Sequence, residues 1–327
     1  MKALYIEKPG EITWKTVSSV GKVNSDEVKL KVIYGGICGS DVSVFKGKLP
    51  HAAYPVIPGH EILGEVVEAG KTASVQVGQR VVVQPNSYCG ECEFCQAGKT
   101  NICPEKKSLG INEHGGFAEE FIISSKYIIP VPDQLPNERA VLIEPLAVIV
   151  HALKKVKIDE NTSVAVIGCG TEGMLAVALA NYLGGNITAI DINPEKLQKV
   201  KEHYPDIEIK HPEEVTENQY DVTIEVAGVR ASFEQSIEIV KPGGSVVAVG
   251  FPAVAKIPVV KMVRKELSIF GSIIYNVPDD FLASITYLLD EKFYVEPIIS
   301  EVLPIAHFEK AYEKAVSGHY RKIVLEF

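Results

Sequence analysis

Residues 89 to 103 read CGECEFCQAGKTNIC and hold four of the chain's six cysteines. Cys89, Cys92, Cys95 and Cys103 follow the spacing C-x2-C-x2-C-x7-C. Zinc takes four soft ligands in a tetrahedron, and short x2 steps let one loop supply several of them. Gly90 and Gly98 help such a loop turn tightly. In a reducing compartment, clustered cysteines point to a metal rather than to disulfides. Four protein ligands close the coordination sphere, so this cluster is expected to hold a lobe together and do no chemistry. An iron–sulfur cluster, or unrelated free thiols, are the other readings of the same spacing.

A second set of reactive residues is scattered. GGICGSD places Cys38 in a glycine-rich turn with Ser40 two residues on, and PVIPGHEILGEVVEAG places His60 and Glu61 just before a strand. SVAVIGCGTEG, residues 163 to 173, contains Gly168, Gly170 and Gly173 as a complete G-x-G-x-x-G. That motif alone is common in turns. Here it follows an apolar strand and opens a helix, and Asp191 ends the next strand 18 residues after Gly173. This is the context of a dinucleotide-binding turn: the glycines let a pyrophosphate approach the helix N-terminus, and the acid accepts from the adenosine ribose. A carboxylate at Asp191 repels a 2′-phosphate, and Ile192 and Asn193 offer no arginine, so NAD is favoured over NADP. Glu172 adds a negative charge to the phosphate-binding turn, which weakens cofactor binding unless it points to solvent. The alternative is a purely structural strand–turn–helix with Asp191 as a cap.

These residues need elements to position them. Through about residue 145 the chain shows short valine-rich runs punctuated by glycine and proline, among them EVKLKVIYGG, HEILGEVVEAG, QRVVVQP and FAEEFIISS. Strands at this spacing suggest a partly closed β-barrel. After Pro145 the pattern changes. LAVIVHALKKV has helical spacing, and then strands (SVAVIG, NITAID, YDVTIEVAG, SVVAVG, LSIFGSII) are interleaved with helices (TEGMLAVALANYLG, NPEKLQKVKEH, ASFEQSIEIV, PDDFLASITYLLD). That alternation predicts βαβ units and a parallel sheet, an α/β fold. A helix, FEKAYEKAVSG, and a strand, KIVLEF, follow.

A length of 327 residues suits roughly two domains. Hydrophobic residues at 46% and charged residues at 23% are an ordinary globular balance. A formal net charge of −9 repels nucleic acid and anionic membranes. MKALYIEKPGEITW alternates like a strand and lacks the apolar core of a signal peptide. No run of about 20 apolar residues is present. The expectation is a cytoplasmic protein with neither a membrane nor a nucleic-acid partner.

The segments GGICGSD, GHEILGEVVEAGK, the four-cysteine lobe, GGFAEEFII, LIEPLAVIVHA and the nucleotide turn occur in this order, and with them the chain resembles the zinc-dependent medium-chain alcohol dehydrogenase family over nearly its whole length. It is most similar to the polyol (sorbitol), threonine and butanediol dehydrogenase branch, marked by IEPLAV, where Glu144 stands in place of the cysteine of simple alcohol dehydrogenases. The resemblance implies a GroES-like β-barrel catalytic domain at residues 1–145, a Rossmann doubly wound domain at 146–289, and a return to the first domain at 290–327. It also implies a homodimer or homotetramer, commonly formed by pairing edge strands of the cofactor domain, for which VEPIISEVL and LSIFGSII are candidates.

The resemblance further implies a catalytic zinc on Cys38, His60 and Glu144, with Glu61 beside the metal and sometimes bound to it, and a structural zinc on Cys89, Cys92, Cys95 and Cys103. Such a zinc lowers the pKa of an alcohol that then gives a hydride to NAD. A carboxylate in place of a thiolate makes the metal harder and more exchangeable. Ser40 would bind the substrate oxygen and pass its proton on through the cofactor ribose. The histidine that often ends this relay is Ser43 here, leaving water, Ser43 or another group such as His51 as the exit. Lys196 matches a contact to the adenosine ribose, Val249, Gly250 and Phe251 a loop under the nicotinamide ribose, and Ile273, Ile274 and Tyr275 a strand end beside the nicotinamide. Sugar-alcohol dehydrogenases usually carry arginine at the position of Ile274, so a smaller or less polar secondary alcohol, such as a vicinal diol, is favoured over a long polyol.

Three other functions compete. A reductase of a sugar-phosphate ketone needs basic residues converging on the site, and none is placed there by the sequence. A non-catalytic NAD-binding sensor draws support from Glu172 and Ser43 but should lack the Cys38, His60 and Glu144 set. A zinc-finger nucleic-acid binder is opposed by the charge balance and by a lobe with few basic residues, Lys99, Lys106 and Lys107.

Overall fold

The computed structural model describes residues 1–18 and 21–327, which form two units: Met1–Pro145 with Asn276–Leu289 and Ile299–Phe327, and Leu146–Tyr275 with Asp290–Ile298. In the first unit, β1 (Lys2–Lys8) and β2 (Glu11–Thr16) pair antiparallel. β3 (Glu27–Ile37), β4 (Glu61–Ala69), β5 (Arg80–Val83), β6 (Glu120–Ser124) and β7 (Ile128–Pro130) follow, with three short helices, α1 (Gly39–Phe45), α2 (Glu93–Gln96) and α3 (Asn137–Ala140). Alternation along EVKLKVIY turns Val28, Leu30 and Val32 inward, where they join Leu4, Ile6, Val66, Val81 and Phe117 in one core. β3 pairs antiparallel with both β4 and β6.

Helix α4 (Ile143–Leu153) leads into the second unit, an alternation of β8 (Ser163–Ile167), α5 (Thr171–Tyr182), β9 (Asn186–Ile190), α6 (Pro194–His203), β10 (Glu208–Lys210), β11 (Tyr220–Glu225), α7 (Arg230–Ile239), β12 (Val240–Ala248), α8 (Val259–Arg264) and β13 (Ser268–Gly271). The six strands form a parallel sheet in the order β10-β9-β8-β11-β12-β13. Strand order reverses between β8 and β11, and ligands of open α/β sheets bind at the carboxyl ends of strands at that switch. The unbroken apolar run Val164–Ile167 is buried, as a strand covered on both faces requires. β10 and α8 were absent from the sequence-based alternation; EIK is three residues long and VVKMVR is six, both too short to show a period.

The chain then returns to the first unit through α9 (Asp279–Leu289), β14 (Ile299–Pro304), α10 (Phe308–Ser317) and β15 (Lys322–Glu326). β15 lies antiparallel to β3 and β14 parallel to β15, completing the order β14-β15-β3-β4-β5-β7 with β6 also on β3. Two expectations change here. α9, read as the last helix of the nucleotide domain, belongs to the first unit and packs on α3, whereas residues 290–298 belong to the second. The reason is local: Asp290 accepts from the Tyr182 hydroxyl at 2.7 Å, Phe293 packs edge-on against the Tyr182 ring, and the Tyr294 carbonyl accepts from Tyr204 at 2.7 Å. VEPIISEVL is not an edge of the nucleotide sheet, because its strand, β14, is hydrogen-bonded to β15.

Phe117 ties the core of the first unit to the turns that carry Cys38 and His60. It is fully buried, and its ring fills the space beside two glycines: a Cβ at Gly35 would come within 2.5 Å of it and one at Gly59 within 2.0 Å. Gly35 leads to Cys38 and Gly59 precedes His60. Phe117→Ala is therefore expected to cost about 3–5 kcal/mol in urea denaturation, and Phe117→Leu clearly less; equal losses from both would remove the argument for shape at this position.

Candidate metal and dinucleotide sites

Cys38 is the cap of α1, with extended backbone (φ −89°, ψ 160°). Asp41, in the first turn, folds back so that its Oδ2 accepts the Cys38 N–H at 2.9 Å. Its Oδ1 accepts the Gly59 N–H at 3.0 Å and lies 3.5 Å from His60 Nδ1. One carboxylate thus fixes the turn carrying Cys38 and the turn before β4, and faces the imidazole. His60 Nε2 lies 3.3 Å from Ser40 Oγ. Burial pushes the imidazole pKa down, but Asp41 and Cys38 outweigh it and hold His60 well above the usual histidine range. Asp41, despite its own burial, is held below the usual carboxylate range by His60 and the two amides.

Glu61 opens β4 directly after His60 and is fully buried. Its register partner is Gly36, where a Cβ would fall 2.0 Å from Glu61 Oε2, so only glycine leaves room for the carboxylate. Glu61 Oε1 is paired with the ammonium of Lys322, itself buried at the start of β15, and Oε2 has no hydrogen-bond partner. Cys38, His60 and Glu61 present one ligand atom each, all within 4.8 Å of one another. The donor set fits zinc: a thiol, an imidazole, and a carboxylate oxygen that is sealed from water and unsatisfied. Glu144, in the first turn of α4, is outside this group. Glu61 is a carboxylate brought to Cys38 and His60 by the β3–β4 register.

The four-cysteine lobe gathers as its spacing suggests. Cys89, Cys92, Cys95 and Cys103 are all free thiols with ligand atoms within 4.8 Å of one another. Cys89 Sγ lies 3.9 Å from Cys95 Sγ and 3.6 Å from Cys103 Sγ. Sulfurs on one tetrahedral zinc sit roughly 3.8 Å apart, given Zn–S near 2.3 Å. The N–H of Cys92 points at Cys89 Sγ (3.4 Å) and that of Cys95 at Cys92 Sγ (3.5 Å). Backbone N–H groups of Glu91 and Cys92 draw the Cys89 thiol down to about 7. Burial, together with the neighbouring sulfurs, pushes Cys95 up to about 12. Four thiols this close ionise together only when a cation shares their charge.

In the second unit, α5 begins at Thr171 after Gly170, at the carboxyl end of β8. Asp191 follows β9; its Oδ2 accepts the Cys169 N–H at 2.7 Å and its Oδ1 the Asn193 N–H at 2.8 Å. Asn193 caps α6 through the amides of Glu195 and Lys196, at 2.9 and 3.3 Å, leaving Lys196 in the first turn. Glu172 is not turned out to solvent: its Oε2 is buried. The Val249 and Gly250 N–H groups bind the Glu225 carbonyl at 2.9 and 3.0 Å, and Phe251 is 74% exposed. Beyond Ile273, Ile274 takes φ +39°, a region a β-branched residue rarely enters, and Tyr275 is buried.

Known proteins share the two-unit plan of this chain. The family model described as "Alcohol dehydrogenase GroES-like domain" matches residues 24–133, and "Zinc-binding dehydrogenase" matches residues 173–290. The chain is 33% identical to the sorbitol dehydrogenase of Halalkalibacterium halodurans, covering 91% of both sequences. The chain belongs to the zinc-dependent medium-chain alcohol dehydrogenase family. Among solved structures, galactitol-1-phosphate dehydrogenase of Escherichia coli superposes with a TM-score of 0.91 at 28% identity over 100% of both chains. Two further dehydrogenases of this fold were solved with NADP and with NADH. As a member of the polyol branch, the protein is a zinc-dependent NAD(P) alcohol oxidoreductase, its first unit GroES-like and its second a Rossmann domain. Among the described residues, no helix is long and apolar enough to cross a membrane.

Asp41 and Lys322 were missed by sequence reasoning. Asp41 left a faint signal, an acid three residues after Cys38, the spacing of a reciprocal cap. Lys322 left none, being 261 residues from Glu61. Ser43 donates to the Gly39 carbonyl at 2.9 Å, and His51 is exposed in a turn. Because Asp41 orients His60, Asp41→Asn is expected to weaken zinc binding about 10–100-fold in competition with a chromophoric chelator. Unchanged affinity would show that the imidazole is held by packing alone.

Proposed function

We propose that this dehydrogenase oxidises a small secondary alcohol, such as a vicinal diol or short polyol, with NAD, at a catalytic zinc held by Cys38, His60 and Glu61. The observation that carries this reading is the convergence of those three donors around the buried, unsatisfied Glu61 Oε2. Bound there, zinc supplies the Lewis acidity that makes an alcohol acidic near neutral pH. Cys38 and His60 keep their orientation through the amides and carboxylate of the Asp41 cap. Ser40 takes the proton of a substrate hydroxyl in this reading, which its position 3.3 Å from His60 Nε2, beside the proposed metal, supports. Ser43 is committed to a helix carbonyl, so the proton leaves Ser40 through water or the cofactor ribose.

The second zinc is structural and sits on the four cysteines. The cofactor lies along the Gly168, Gly170 and Gly173 turn, with Glu172 beside it, the adenosine ribose on Asp191 and Lys196, and the nicotinamide end near residues 249–251 and 273–275. Asp191 and the absence of an adjoining arginine support NAD over NADP. A sugar-phosphate substrate is the second reading, favoured by the likeness to galactitol-1-phosphate dehydrogenase. Self-association through β13 is supported by its place at the edge of the parallel sheet and by the exposed Val259, Val260 and Val263 of α8, which leads into it.

A steady-state panel of diols, polyols, threonine and polyol phosphates, with NAD and NADP, tests the reading. Two zinc per chain, turnover of a free diol or polyol, and at least about a 100-fold loss in Cys38→Ser are expected; turnover confined to phosphorylated substrates would replace it with the second reading. In sedimentation, Val260→Glu with Val263→Glu should shift the assembly to a smaller species, and an unchanged sedimentation coefficient would rule out this edge.

A further inference from the structure

Glu225 is the one fully buried acid of the Rossmann unit, among the described residues, and the reaction does not use it. It ends β11, next to the switch in strand order, paired with Ile167 on one side and Ala248 on the other. Its main-chain carbonyl accepts the N–H of Val249 at 2.9 Å and of Gly250 at 3.0 Å. In its side chain, Oε1 meets the Gly228 N–H at 2.9 Å and the Ser232 hydroxyl at 2.6 Å. Oε2 has no hydrogen-bond partner and lies against Gly250, where a Cβ would be 2.6 Å from it. The turn it braces also touches the nucleotide turn: a Cβ at Gly168 would stand 2.9 Å from the Ala227 nitrogen. One residue thus connects the loops after β8, β11 and β12, at the sheet edge where a dinucleotide lies.

We propose that Glu225 is a positioning residue for the dinucleotide, a neutral carboxylic acid that locks the 226–228 and 249–250 turns into one rigid rim under the nicotinamide half. The inference rests on the proposed placement of that half at residues 249–251. The neutral form follows from the hydrogen bonds. Ser232 has one proton and two neighbours, Glu225 Oε1 at 2.6 Å and the Val229 carbonyl at 2.8 Å. If Glu225 is ionised, Ser232 must leave one of them or split its proton between them, and the buried Oε2 carries charge with no hydrogen bond of its own. If Oε1 is protonated, it donates to Ser232, Ser232 donates to Val229, and the Gly228 N–H still has its acceptor. Oε2 is then an uncharged carbonyl-type oxygen, the cheaper orphan. Burial pushes this carboxyl upward against the opposing pull of Ser232 and the turn amides, in the same direction.

The test is a fluorescence titration of the zinc-loaded protein with NADH, alongside competition by AMP, which engages only the Asp191 side. Glu225→Ala should bind NADH at least about tenfold more weakly, with AMP affinity within about twofold of the parent. Glu225→Gln, neutral and nearly isosteric, should stay within about threefold for both. Equal NADH binding by Glu225→Ala and the parent would overturn the proposal, as would equal weakening of NADH and AMP, which marks a general structural role. A Glu225→Gln defect as large as that of Glu225→Ala would overturn the neutral acid. If Glu225→Ala does not fold, Ser232→Ala takes its place: a roughly threefold loss for NADH with an unchanged melting midpoint supports the rim, and unchanged binding overturns it. Failure of the parent to bind NADH, with AMP still bound, would instead overturn the placement on which the proposal rests.

Discussion

A carboxylate sealed from water has to be balanced inside the fold, and Asp41 is the carboxylate on which the catalytic end of this protein depends. It is fully buried, and its two oxygens receive the amides of Cys38 and Gly59 while facing His60. Leaving such a group unpaired costs more than a fold of marginal stability can absorb. The turn before α1 and the turn before β4 are therefore held together, and with them the sulfur and the imidazole. Glu61 repeats the logic one residue on. Its charge is tolerated because Lys322 is buried against it and because Gly36 vacates the space its oxygen fills.

The same device organises the Rossmann unit. Asp191 stands just after β9 and accepts the amides of Cys169 and Asn193, so the nucleotide turn and the start of α6 are fixed to one carboxylate. The Glu225 carboxyl does this for the Gly228 amide in the turn after β11, while its main-chain carbonyl takes the amides of Val249 and Gly250 after β12. Backbone amides at strand ends have no ladder partner, and a short acidic side chain satisfies them without adding bulk. Loops tied in this way need less ordering when a ligand binds. The strained φ of Ile274 fits the same picture, since such a conformation persists only where the surroundings enforce it.

The cysteine lobe is stabilised differently. Cys89, Cys92 and Cys95 lie in a loop whose residues are largely exposed, and α2 buries none of its own. A segment with so little apolar burial has little besides a shared cation to hold it, and two of its sulfur separations, 3.6 and 3.9 Å, suit one tetrahedral ion. Only this lobe could be read as a metal site from spacing alone, because all four ligands fall within one loop.

The βαβ alternation from Ser163 to Gly271, the nucleotide turn, Asp191 and the four-cysteine lobe were legible in the sequence, because each is a local pattern of period or spacing. β10 and α8 were not, being shorter than the window over which a period shows. Nor could sequence decide which carboxylate would join Cys38 and His60. The resemblance implied Glu144, with Glu61 beside the metal, and the tertiary structure brings Glu61 to Cys38 and His60 through the pairing of β4 with Gly36 of β3 and the arrival of Lys322 on β15. Charge balance in a buried site is a property of strands that meet from opposite ends of the chain, and nothing along the sequence records that meeting.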